Sequence, residues 1–205
     1  MVLWDTKNFS RADLPGQTPE AKKHQHRSSD KQLQRSRFRC YRNLPAKFKM
    51  TPPRYQTLLR DAIPTVQLPD NAGSARIIAG EFDSNLGAAR TVTPVILWDV
   101  SLRKGAQVKL LIPDGFNSAV FVRTGQVRLG GTHTASEREL ALLERQGDGV
   151  IVEAQVDAEL LVLGGQPIDE PVVTYGPFVM NSPEEIRQAM ADVRAGKLGK
   201  LASLS

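Results

Sequence analysis

The stretch TVTPVILWDVSLRKGAQVKLLIPDGFNSAVFVRTGQVRLGG (residues 91–131) decides the fold; it resumes after a polar insert as ELALLERQGDGVIVEAQVDAELLVLGG (residues 139–165). Apolar residues come in short runs, each closed by turn chemistry: Lys104-Gly105, Pro113-Asp114-Gly115, Thr124-Gly125, Gly130-Gly131, Gly147-Asp148-Gly149 and Gly164-Gly165. Short runs at roughly 8–12-residue spacing, closed by Gly or Asp-Gly, predict a small all-β sandwich or barrel of about eight strands. Polar and apolar residues alternate in Val120-Phe121-Val122-Arg123 and from Val150 to Val156, as half-buried strands require. No long amphipathic helical pattern competes in this stretch.

Outward from it, the chain of 205 residues is long enough to bury a sizeable core. Its apolar runs are far too short to span a bilayer as helices. The opening MVLWDTKNFSRADL lacks the apolar run of a secretory leader, and the single cysteine, Cys40, fits a reducing compartment. A cytoplasmic location is therefore expected. The formal charge of +5 hides an asymmetry. Residues 1–60 hold fourteen Lys and Arg against four Asp and Glu, whereas residues 61–205 hold thirteen against eighteen. A basic arm on an acidic body suits an anionic surface or simple solvation. With few aromatic residues between the charges, it makes a poor stacking platform, so specific nucleic-acid binding is not expected.

Residues 1–42 read as a basic, largely unstructured arm, since they offer too little apolar surface to offset ordering entropy. Within it, His24-Gln25-His26-Arg27 places two imidazoles on one side of an extended segment, within reach of one metal ion. Residues 43–73 read as a connector and a first strand. Ser74 to Gly80 (SARIIAG) forms the next strand, opening a barrel over residues 74–166 that a loop from Glu81 to Arg90 interrupts. The only other histidine, His133, falls in the polar insert, read as a loop. Residues 167–205 form an extended arm, rich in proline, and then a helix. Asn181 or Ser182 caps that helix, Pro183 fills its first turn, Glu184 and Glu185 follow, and Gly196 ends it. Ile186, Met190 and Val193 make its apolar stripe.

Several blocks of this chain resemble the pirin family. They are Asn43-Leu44-Pro45-Ala46-Lys47, Lys49 to Gln56 (KMTPPRYQ), Ile77-Ile78-Ala79-Gly80-Glu81, Thr93-Pro94 with Leu97-Trp98-Asp99-Val100, and Gly164 to Ile168 (GGQPI). The most specific is Tyr175-Gly176-Pro177-Phe178-Val179-Met180-Asn181, followed by the Pro-Glu-Glu-Ile-Arg-Gln-Ala start of the helix. In order, these blocks span residues 43–199. The resemblance implies a bicupin, in which two cupin-type β-barrels (double-stranded β-helices) share one chain. It further implies iron or another divalent transition metal in the N-terminal barrel, held by a His-x-His pair and a later His-x-Glu pair. His24 and His26 match the first pair; no His-x-Glu pair stands between Arg27 and Asn43. The resemblance therefore predicts a truncated or degenerate N-terminal cupin followed by a well-matched C-terminal one.

In the second barrel, Asn117-Ser118-Ala119 occupies the place where a metal-binding cupin carries its His-x-His. Glu81 and Asp99 are expected to be structural or solvated. The resemblance points to a quercetin 2,3-dioxygenase-type oxidoreductase or a transcription-cofactor pirin, with an incomplete metal site and little catalysis. The alternatives are a non-catalytic module that contacts a protein partner and a degenerate copy without function. Tyr175, Phe178, Met180, Ile186 and Met190 are expected to form an exposed apolar face for a partner or a homo-oligomer.

Overall fold

The computed structural model describes residues 43–197 apart from Pro53 and Tyr55. The chain divides into two compact units, and the one described here comprises Leu44–Met50 and the residues from Gln56 onward. Its strands are β1 (Thr65–Gln67), β2 (Gly73–Ala79), β3 (Glu81–Phe82), β4 (Asn85–Leu86), β5 (Val95–Leu102), β6 (Gln107–Leu111) and β7 (Asn117–Thr124). They continue as β8 (Gln126–Leu129), β9 (His133–Ser136), β10 (Leu140–Leu143), β11 (Gly149–Ala154), β12 (Ala158–Gly165), β13 (Val173–Tyr175) and β14 (Phe178–Met180), before the helix α1 (Pro183–Arg194).

Two antiparallel sheets close on one core. The larger has the order β1-β2-β5-β12-β7-β10, and the smaller β6-β11-β8-β9. The barrel thus uses ten strands rather than about eight. β1 joins the edge of the larger sheet through Thr65–Arg76 and Gln67–Ser74 pairing. β9 lies within the insert that reads as a loop, because only Ala135 of its four residues is buried. Two further departures are small. The segment after Gly80 carries the β3–β4 hairpin, and the C-terminal arm carries the β13–β14 hairpin.

Period-2 alternation decides which face is core. In β5, Ile96, Trp98, Val100 and Leu102 are buried, while Ser101 between them is exposed. Val120 and Val122 of β7, Leu160 and Val162 of β12, Leu110 of β6, Val127 of β8 and Val152 of β11 are fully enclosed with them. The Phe82 ring stands edge-on to Trp98, with centroids 4.9 Å apart. A core of β-branched residues with few polar atoms holds the barrel by area burial and close packing.

α1 begins as its sequence predicts. Ser182 is the N-cap, its Oγ accepting from the Glu185 amide at 3.2 Å, and Glu185 Oε2 accepts from the Asn181 amide at 2.8 Å. At the other end, Gly196 takes a left-handed φ of 71°. Its amide donates to Val193 O, and the Lys197 amide donates to Asp192 O, which closes a Schellman turn. The apolar stripe differs from the expected one: Ile186 and Ala189 are buried, Met190 is half-buried and Val193 is exposed.

Candidate functional site

A cupin works from the inside of its barrel, so the inward positions define what this one can do. Here the inward ladder is aliphatic from β6 to β12, and Ser118 replaces any imidazole at the start of β7. A transition-metal ion needs about three or four converging N, O or S donors. Among the described residues, no three His, Cys, Asp or Glu side chains converge in that way. His133 begins β9, a strand and not a loop, opposite Leu129, and its side chain is exposed. The metal implied by the family resemblance therefore does not fit this barrel. His24 and His26, the residues to which that metal was assigned, lie outside the described residues.

One end of the barrel keeps a small pocket of about 130 Å³. Its floor is Ile112, Phe116, Leu143 and Val150, with Ser118, Glu144 and Arg145 among the polar lining. Ligand sites for drug-sized molecules usually occupy several hundred Å³. This one is smaller than that and has room for a few waters or a very small molecule. Its rim is closed by its own hydrogen bonds. Arg145 Nε donates to Asn117 Oδ1 at 2.7 Å, the Gly147 amide donates to Asp114 Oδ1 at 2.8 Å, and the Gly115 amide donates to Arg145 O at 2.7 Å. Nearby, Lys109 Nζ lies 2.6 Å from Asp148 Oδ2, and that hydrogen bond with its charge holds the Asp148 carboxyl below the usual carboxylate range. Asp114 and Asn117 thus serve loop closure.

A second polar group lies on the outer face of the larger sheet. Asp99 is 3.3 Å from Arg76 and 2.9 Å from Arg123, which also reaches Glu159 at 2.9 Å. Asp99 is only 13% exposed, so it is an ion-paired link across strands and not a solvated carboxylate. Glu81 is exposed. Sequence reasoning names Asp99 without its partners. Arg76, Arg123 and Glu159 are distant in the chain, and only strand register brings them together.

A third group ties the C-terminal arm down. Glu170 Oε2 accepts from the Ala46 amide at 2.7 Å and from Asn181 Nδ2 at 2.9 Å; Asn181 Nδ2 also donates to Pro171 O at 3.0 Å. Leu44, Ile186 and Ala189 are buried. Of the five side chains that the sequence assigns to an exposed apolar face, Ile186 is buried, Phe178, Met180 and Met190 are half-buried, and only Tyr175 is exposed. The physical reason is local: the β13–β14 hairpin folds back onto α1, which hides much of the face within the chain.

Residues 97–199 match the family model described as the Pirin C-terminal cupin domain. The chain belongs to the pirin family. A Pseudomonas aeruginosa protein provisionally named quercetin 2,3-dioxygenase is 47% identical over 155 residues, covering 76% of this chain and 54% of the relative. Human pirin is 35% identical over 163 residues, covering 77% and 55%. Among solved structures, quercetin 2,3-dioxygenase from Acinetobacter baumannii superimposes with a TM-score of 0.73 at 39% identity, covering 78% of this chain and 56% of that one. The chain thus spans about half the length of the curated relatives it matches. Within this pirin, the well-matched half is the barrel with the filled interior.

Proposed function

We propose that the described barrel is the non-catalytic half of a pirin, a scaffold and binding module that carries no redox centre of its own. Any quercetin 2,3-dioxygenase-type chemistry in this protein then depends on a metal held elsewhere, with His24 and His26 as the ligands this chain offers. The observation that carries the reading is the apolar interior. Trp98, Val100, Leu110, Val122 and Val152 are fully buried inside the barrel, and none of them offers a carboxylate, imidazole or thiolate donor. The names of the relatives support the oxidoreductase class for a complete site.

The deciding experiment measures metal in the purified, dialysed protein by mass spectrometry, beside the His24→Ala/His26→Ala variant. The expected result is metal well below one equivalent per chain and no flavonol consumption in either protein. Stoichiometric iron or another transition metal that vanishes in the variant would mean that a second subunit or further residues complete the site, and the dioxygenase reading would lead. A second reading, contact with a protein partner through the arm and helix, draws on the exposed Val172, Tyr175, Val179 and Val193. Pull-down with the Tyr175→Lys variant as control tests it.

A further inference from the structure

We propose that β10 is a self-association edge, on which two copies of this chain pair antiparallel about a two-fold axis at Ala141. β10 ends the larger sheet, with β7 on its inner side and no further strand beyond it among the described residues. Its register is Leu140–Phe121, Ala141–Val120, Leu142–Ala119 and Leu143–Ser118. Just before it, the Arg138 amide donates to Val122 O while the Val122 amide donates to Glu139 O, with Arg138 at a left-handed φ of 68°. That is a β-bulge, and it sets the alternation that follows. Ala141 and Leu143 hydrogen-bond to β7, whereas Leu140 and Leu142 turn their amides and carbonyls to the open edge.

Exposure follows the same alternation as the backbone. Leu142 is 80% exposed and Leu140 is 55% exposed, while Ala141 and Leu143 pack against the core. Exposed edges in natural sheets are usually blunted by Lys, Pro or an inward charge. The strand Leu140-Ala141-Leu142-Leu143 carries none of these. The bulge and the flanking charges stand outside it.

Symmetry then selects the register. A two-fold axis normal to the sheet keeps outer residues opposite outer residues. Centred on Ala141, it places each Leu140 opposite the second copy's Leu142. Four backbone hydrogen bonds form between groups that otherwise face water, and two exposed leucine pairs are buried. It also brings Arg138, 85% exposed, to the end where the second copy's Glu144 stands, twice over. Centred on Leu142 instead, the axis would set Leu140 against Glu144, an apolar side chain against a charge. A four-residue edge buries little area, so the dimer is weak, with a Kd on the order of 100 μM.

The test is sedimentation velocity of the full chain over a concentration series, with hydrogen exchange read at individual amides. The expected result is a monomer–dimer equilibrium in which the Leu140 and Leu142 amides gain protection with concentration. Leu142→Pro removes only an edge donor and spares the β7 ladder, and Leu140→Lys adds a gatekeeper charge. Each should weaken dimerisation by about tenfold or more while Trp98 fluorescence, read in a Trp4→Phe background, reports an intact core. A strict monomer up to roughly 1 mM overturns the proposal. So does a dimer that ignores both variants, or one that Tyr175→Lys disrupts, since the contact would then lie on the arm.

Discussion

Gly149 opens β11 at φ +145°, and a Cβ built there would lie 2.1 Å from Leu110 O of the paired strand. No L side chain fits that approach, so Gly149→Ala should cost about 2 kcal/mol or more. Gly105 also has a positive φ, 76°, but nothing lies within 4 Å of its Cβ position. Gly105→Ala should cost only the left-handed backbone penalty, about 1 kcal/mol. Paired urea titrations of the two variants separate steric from conformational cost; equal midpoints would defeat the distinction. The sequence marks both positions, since each follows an apolar run as a turn residue. What it cannot mark is which glycine sits against a neighbouring strand, because that depends on a register set by residues some forty positions away. The Asp99 cluster has the same character. Asp99→Ala leaves Arg76 and Arg123 without their shared carboxylate and should cost about 1–3 kcal/mol, whereas Glu81→Ala, on an exposed side chain, should leave the unfolding midpoint unchanged.

At the scale of elements, α1 is the most legible part of the chain, because its stop and start signals are local. Ser182, Pro183, Glu185 and Gly196 each do in the structure what their side chains or backbone freedom predict. Ser182→Ala should destabilise the helix by about 0.5–2 kcal/mol, read from amide exchange in its first turn. Its stripe was less legible, because Asp192 is buried where an apolar residue would be expected, and Val193 is not. Lys197 Nζ at 3.0 Å and Gln188 Nε2 at 2.9 Å hold the Asp192 carboxylate, and those hydrogen bonds lower its pKa. A depressed carboxylate adds stability above its unfolded pKa, about 3.9, and loses it as pH falls through the lower folded value. The wild-type helix should therefore loosen on acidification below about pH 4. Asp192→Asn should already be looser at pH 7 and should lose less on acidification, which amide exchange measured at both pH values reads directly. β9 was illegible for the opposite reason: with one inward alanine, its alternation is too weak to stand out from a polar insert.

At the scale of the molecule, the ten-strand barrel and the inferred pirin metal make separate demands on the sequence. Barrel closure asks only for alternation and turns, which a single sequence displays. A metal site asks for three or four donors brought together from different strands, and strand register is not displayed by a single sequence. Ser118 is the particular case: it lines the small pocket beside Phe116, Leu143 and Arg145, residues that only the fold brings together. This difference yields a prediction about metal removal. If the barrel owes its stability to packing among Trp98, Leu110, Val122, Leu160 and their neighbours, a chelator in excess should not alter it. Thermal unfolding followed at the tryptophan near-ultraviolet band in a Trp4→Phe background, which leaves Trp98, should give coincident melting curves with and without EDTA. Leu110→Ala, by contrast, should lower stability by about 2–5 kcal/mol, since it opens a cavity in a fully enclosed site. A chelator-induced drop of several degrees would mean that metal and barrel are thermodynamically coupled, and the filled interior could then no longer be treated as a scaffold independent of the metal.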